Sequence, residues 1–449
     1  MNQLFVSSGP IATALFAAAI DTGRLGARPG RRILLVSDET AGAELAPPLP
    51  ERADHAALYD RFDEVVSLNE LLAPMHPQDW RPALEEQPML ERLLRRHWGL
   101  GDEPVEVIVE TLETAPAQTL AEVFHDAPVT VCCGTLEVYG PVRALLPRGV
   151  GSRVERLLHL DLVPGLPPRL LSDYGVAPQI VAQDAFAKAF EEVKAGAETL
   201  LAGRLPAGAD RAALIVGQCL TDLGPTGEQE ERIHLEMLRG LVARGNRTVA
   251  FVPAPDGQTA LAAALAAEAG RLGAELVILD EPVPAEVWCA LLRPEVAVGV
   301  FPPALVRVSH LLEVPVMTLG TVRVLERLNP YDNAARIPAT VVDATFPRLT
   351  DEGDAIPPPI ARHEIKSRLV PLLAAVTYCM QPGRYPEMRA ATAEYVDALP
   401  PGPALRRYFR MQRLITLGLA QPPPPAPAEP VGTLQRVADV TRRLKGRLR

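Results

Sequence analysis

Between residues 213 and 319, short apolar runs alternate five times with longer helix-patterned stretches. The runs at 213–217, 248–252, 275–279, 296–300 and 314–319 have strand length, and the stretches at 227–244, 259–272, 284–292 and 304–312 have helix length. A parallel strand is reached only by a crossover long enough to hold a helix. Repeated βα units at this spacing therefore predict a doubly wound α/β domain with helices on both faces of its sheet.

The first half repeats the alternation less regularly. Residues 4–7 read as a strand, Ser8-Gly9-Pro10 as a turn, 11–22 as a helix and 32–37 as the next strand, which is a βαβ unit. Further strands fall at 64–66, 105–109 and 129–133, the last ending at Gly134, with an amphipathic helix at 85–97. A mostly helical stretch at 184–201 is then broken by Gly203, Pro206 and Gly208. The expected organisation is two Rossmann-like domains in tandem, 1–205 and 206–395, facing a cleft, with a closing helical segment at 396–420. Such sheets take ligands beyond the carboxyl ends of their strands.

Composition excludes several classes. With 449 residues, 48% apolar and 22% charged, the chain has material for two real cores. A net charge of −10 argues against nucleic acid as a partner, since phosphate recognition needs clustered Lys and Arg. The five cysteines, Cys132, Cys133, Cys219, Cys289 and Cys379, are scattered and odd in number, which fits a reducing compartment and no disulfide framework. No His or Cys cluster has metal-ligand spacing, so neither a metal nor a cofactor is expected. The start, Met1-Asn2-Gln3-Leu4, has no basic leader, and the apolar run 11–20 is too short to span a bilayer. A cytoplasmic protein is expected.

The end of the chain changes character. Residues 421–430 form a stiff proline-rich linker. Beyond it, Arg436, Arg442, Arg443, Lys445, Arg447 and Arg449 face a single acid, Asp439, while apolar residues recur at spacings of three and four. This predicts a basic amphipathic helix at 431–449, suited to peripheral attachment at an anionic membrane surface such as the inner face of the plasma membrane. A solvated helical tail fits the same pattern.

Several segments resemble those of bacterial alpha-2,8-polysialyltransferase-like proteins, among the CMP-sialic-acid-dependent sialyltransferases of the two-lobed GT-B type. They are Leu4-Phe5-Val6-Ser7-Ser8-Gly9-Pro10, the stretch from Pro74 to Pro82 containing His76-Pro77, Val138-Tyr139-Gly140-Pro141, the stretch from Leu158 to Gly165, Val216-Gly217-Gln218 with Glu230-Glu231 beyond it, and Val314-Pro315-Val316. The resemblance implies inverting transfer of sialic acid from CMP-sialic acid to a glycan acceptor, without a metal. It also implies an acidic pair before glycine as base, a His-Pro loop for the departing phosphate, and a serine-rich motif at a helix start to bind that phosphate.

All three positions depart from the family pattern. Cys132 and Cys133 precede Gly134 where the acids belong, Ala254 stands between Pro253 and Pro255 where the histidine belongs, and Pro302 and Pro303 occupy the serine positions. Proline offers neither a hydroxyl nor a backbone N–H. Glu137 is a substitute base by proximity, although a surface carboxylate fits it as well, and Asp256 beside a phosphate would repel it. His159 and Asp161 share one side of a strand if the strand runs through them, as a cleft pair or a structural hydrogen-bonded pair. Ser7, Ser8 and Gly9 are loop candidates for the acceptor side; Gly217, Gln218, Gly320 and Thr321 are candidates for the nucleotide side. The expected function is sialyltransferase-family glycosyl transfer with impaired catalysis. The alternatives are a non-catalytic GT-B scaffold in surface polysaccharide synthesis, or a sugar-nucleotide epimerase, whose own cluster of acids and histidines the sequence does not supply.

Overall fold

The computed structural model describes residues 1–26, 30–40, 56–205, 208–254, 258–399 and 407–421. Its first sheet holds β1 (Asn2–Ser7), β2 (Arg32–Val36), β3 (Glu64–Ser67), β4 (Val105–Val109), β5 (Val129–Cys133), β6 (Val154–His159) and β7 (Pro178–Ile180). They lie in the order β3-β2-β1-β4-β5-β6-β7, all parallel. The second holds β8 (Ala213–Val216), β9 (Thr248–Val252), β10 (Glu275–Ile278), β11 (Ala297–Gly299), β12 (Val316–Thr318), β13 (Arg348–Leu349) and β14 (Ala355–Ile356). Their order, β10-β9-β8-β11-β12-β13-β14, repeats that of the first, and only the β13–β14 pair is antiparallel. In both sheets the winding direction reverses beside the first strand, between β1 and β4 and between β8 and β11. Those reversals open the crevices where doubly wound sheets hold ligands.

Central strands are apolar because helices cover both of their faces. Every residue of β1, β2, β4, β5 and β8 is buried. The long Gln183–Leu200 helix leaves the first sheet and packs Phe186, Ala189 and Phe190 inward, against the Pro10–Asp21 helix. Near the amino ends of the first sheet a polar row interrupts this core. Arg32 Nε donates to Gln3 Oε1 at 3.0 Å, Gln3 Nε2 to Glu106 Oε2 at 2.9 Å, and Thr130 Oγ1 to Glu106 Oε1 at 2.8 Å. Arg156 completes it, pairing with Glu106 and donating to Thr130 Oγ1 at 3.1 Å. One side chain from each of β2, β1, β4, β5 and β6 takes part, so any one-residue slip would strand a buried charge.

After β14 the chain returns across both lobes. The Val370–Met380 helix is followed by Gln381, whose amide donates to the carbonyls of Val142 at 2.9 Å and Arg143 at 2.8 Å. Tyr385 donates its hydroxyl to Asp173 at 2.9 Å, and Arg384 pairs with the same carboxylate. Residues 381–385 therefore tie the second lobe to the first. Sequence patterning did not reveal β6, β7, β13 and β14. Glu155 and Arg156 interrupt the apolar run of β6, and the other three strands are two or three residues long. Of the linker at 421–430 only Gln421 is among the described residues, and the tail at 431–449 lies outside them.

Candidate functional site

At the end of β1, Ser7 turns inward and Ser8 outward. Ser7 is buried, its hydroxyl 2.8 Å from Thr13 Oγ1 and donating to Gly9 O at 2.9 Å, so it braces the turn into the next helix. Exposed Ser8 reaches across the strand reversal: its backbone N–H donates to Glu110 Oε1 at 2.5 Å and its hydroxyl to Oε2 at 3.1 Å. Glu110 follows β4 directly. Burial raises its pKa most, the two Ser8 bonds pull it down, Glu39 raises it and Arg307 lowers it, leaving it at about 7. A carboxylate in that range can both accept and release a proton near neutral pH.

The cysteine pair behaves differently. Cys132 and Cys133 are both buried, and loss of hydration raises the pKa of Cys132 and pushes Cys133 up to about 11. Cys133 Sγ sits 3.6 Å from Thr135 Oγ1 and 3.7 Å from the Thr135 carbonyl. Both are neutral thiols of the core. Glu137, on the Leu136–Tyr139 turn, is solvent-exposed yet hemmed in by protein, and desolvation followed by Glu113 raises its pKa. Glu113 is raised by burial and accepts the backbone N–H of Arg143 at 2.8 Å.

In the second lobe the strand ends are closed on themselves. Ala254, just past β9, is buried, and its N–H donates to Gln258 Oε1 at 3.0 Å. Phe301, after β11, donates its N–H to Gln218 Oε1 at 3.2 Å, across the β8–β11 reversal. Gly217 has no room for a side chain, since a Cβ there would lie 2.5 Å from Gln258 Oε1 and 2.9 Å from Ala254 N. Pro302 and Pro303 open the Pro303–Leu311 helix, whose start has no side-chain cap. Pro253 is half-buried beside Ala254, while Pro255 and Asp256 lie outside the described residues. Gly320 adopts φ +92°, a conformation glycine tolerates, and Thr321 Oγ1 donates to Val300 O at 2.6 Å, so this pair holds the loop after β12.

Arg307 joins the two lobes. From the helix after β11 it donates to Gly134 O of the first lobe at 2.9 Å, while its Nε bonds Glu286 Oε1 at 2.6 Å. The Cys-Cys-Gly turn and the Pro-Pro helix, far apart in sequence, thus meet across the cleft. His159 and Asp161 do not form the hydrogen-bonded pair weighed above: β6 ends at His159, whose Nδ1 lies 3.0 Å from Leu160 O. His76 caps the Pro77–Asp79 turn through Gln78 N. No group of three or more His, Cys, Asp or Glu suited to a metal occurs among the described residues.

Three residues of this geometry escaped sequence reasoning: Glu110, Arg307 and Gln258. Glu110 carried a signal, a charge placed directly after the strand-patterned stretch 105–109. What the sequence withheld was the strand order that sets β4 beside β1.

A family model described as Alpha-2,8-polysialyltransferase (POLYST) matches residues 3–321. The chain belongs to the alpha-2,8-polysialyltransferase family. It is a glycosyltransferase-like protein, and its two doubly wound lobes meeting at their strand carboxyl ends have the GT-B arrangement. No curated relative matches the sequence. Solved structures similar to this polysialyltransferase-family chain include an alpha/beta-galactoside alpha-2,3-sialyltransferase from Photobacterium phosphoreum, at 9% identity and TM-score 0.41 over 76% of this chain and 95% of that one. The UDP-GlcNAc 2-epimerase from Neisseria meningitidis matches at 13% identity and TM-score 0.43, over 86% and 94%. The ADP-heptose LPS heptosyltransferase II of E. coli matches at 11% and 0.36, over 71% and 84%.

Proposed function

We propose that this polysialyltransferase-family protein keeps a glycan-engaging first lobe and has lost the ability to turn over CMP-sialic acid. The carrying observation lies in the second lobe, where Ala254, Pro302 and Pro303 present no side chain that could protonate or bind a departing phosphate. Buried thiols at Cys132 and Cys133 add no base on the other side. In this reading the first lobe meets a glycan hydroxyl near Ser8 and Glu110. The basic tail at 431–449 would bring the protein to an anionic membrane where surface polysaccharide is made.

A thermal-shift panel with CMP, CDP, UDP and free sialic acid tests the reading, because any ligand of the native state raises Tm by mass action. The expected result is no shift with CMP. A shift with CMP alone would overturn the reading.

Glu110 favours a second reading, transfer from a nucleotide sugar with this carboxylate as the acceptor-side base. It stands at the strand reversal with a pKa of about 7, matched to proton transfer at neutral pH. Turnover that disappears in Glu110→Gln would favour it.

A further inference from the structure

The loops after β8, β9 and β11 are neighbours in the second sheet, and each carries a backbone N–H two to four residues past its strand. All three are taken by oxygens of the chain itself. Leu220 N donates to Glu230 Oε2 at 2.8 Å, Ala254 N to Gln258 Oε1 at 3.0 Å and Phe301 N to Gln218 Oε1 at 3.2 Å. The acceptors are also linked to one another. Gln258 Nε2 donates to Glu230 Oε1 at 2.7 Å and to Gln218 O at 3.3 Å, which fixes its amide the only way round that satisfies every partner. Glu230 is buried, so these bonds are what make its charge tolerable there.

One carboxylate oxygen and two neutral amide oxygens thus hold backbone N–H groups that could otherwise bond the oxygens of a phosphate. We propose that Gln218, Gln258 and Glu230 form an internal latch over the donor-side strand ends, and that a phosphate-bearing nucleotide enters only when the two amides are displaced. The proposal rests on the reading of the second lobe as the nucleotide side. Gln258 is placed for this role: it precedes the Thr259–Leu272 helix but does not cap it, turning back toward Ala254 instead. Gly217 leaves the space that Gln258 Oε1 occupies. The latch also explains why the crevice at the β8–β11 reversal is spanned by Gln218.

Calorimetric titration of CMP into the full chain, with cytidine as the control lacking phosphate, tests the latch in the native protein and in Gln218→Ala, Gln258→Ala and the double variant, each variant also carrying Glu230→Gln so that no carboxylate is left to repel the phosphate. The double variant should bind CMP at least about tenfold more tightly than the native protein, which is about 1.4 kcal/mol, with no gain for cytidine. An unchanged CMP affinity in a double variant that keeps its circular dichroism, or an equal gain for cytidine, overturns the latch. If the double variant does not fold, the single variants decide: a gain in either supports the latch and a gain in neither overturns it. Native protein already stabilised by CMP would instead sink the proposed function. A silent native protein with no gain in the variants would sink only the latch.

Discussion

At the residue scale, Glu110 is the most consequential side chain. Its folded pKa of about 7 lies above the ordinary carboxylate value, so the folded state holds the proton more tightly than the unfolded one. Stability from this group is therefore fully present below about pH 4 and declines as pH rises through about 7. At about 1.4 kcal/mol per pKa unit, the loss is at most on the order of 3 kcal/mol. Glu110→Gln keeps an acceptor for Ser8 and removes the titration. Its Tm should fall less than that of the native protein between about pH 5 and about pH 8; parallel curves would refute the assignment. Arg307 matters for a different reason, since it holds Glu286, itself buried, and touches Gly134 across the cleft. The partners of neither residue were legible in sequence. A lone Arg in a helix and a lone Glu after a strand look ordinary until strand order and lobe contact bring partners to them.

At the scale of elements, the central strands and their helices were readable because burial on both faces leaves continuous apolar runs. The short edge strands were not, since two or three residues carry no period. The polar row through Gln3, Glu106, Thr130 and Arg156 was also hidden, because its members are single polar residues inside apolar strands. It gives a sharp expectation. Glu106→Ala leaves buried Gln3 and the quarter-exposed Arg156 without their shared acceptor, a loss of about 1–3 kcal/mol. Urea unfolding would read this as a lower midpoint; a change below about 1 kcal/mol would mean that water or neighbouring carbonyls replace the carboxylate. The loop elements tell a similar story. Glycine and proline marked where the strands end, and Gln218 was a candidate beside Gly217, but Gln258, the other side chain closing those ends, has no motif of its own.

At the scale of the whole molecule, the two-lobed plan followed from βα spacing, and the family from the order of short segments along the chain. The return of residues 381–385 to the first lobe did not, because it depends on contacts between distant carbonyls and a shared Asp173. That strap and Arg307 hold the lobes with their strand ends face to face. The cleft so formed has contrasting walls: a titratable carboxylate on one side, and on the other, strand ends bound by the chain's own amides and followed by prolines. An intact shell with its phosphate side closed is the centre of the account. The direct measurement is CMP release from CMP-sialic acid by the purified full chain, with an oligosaccharide acceptor present. The account predicts no release above the rate of spontaneous hydrolysis; release that persists through purification and disappears in Glu110→Gln would contradict it.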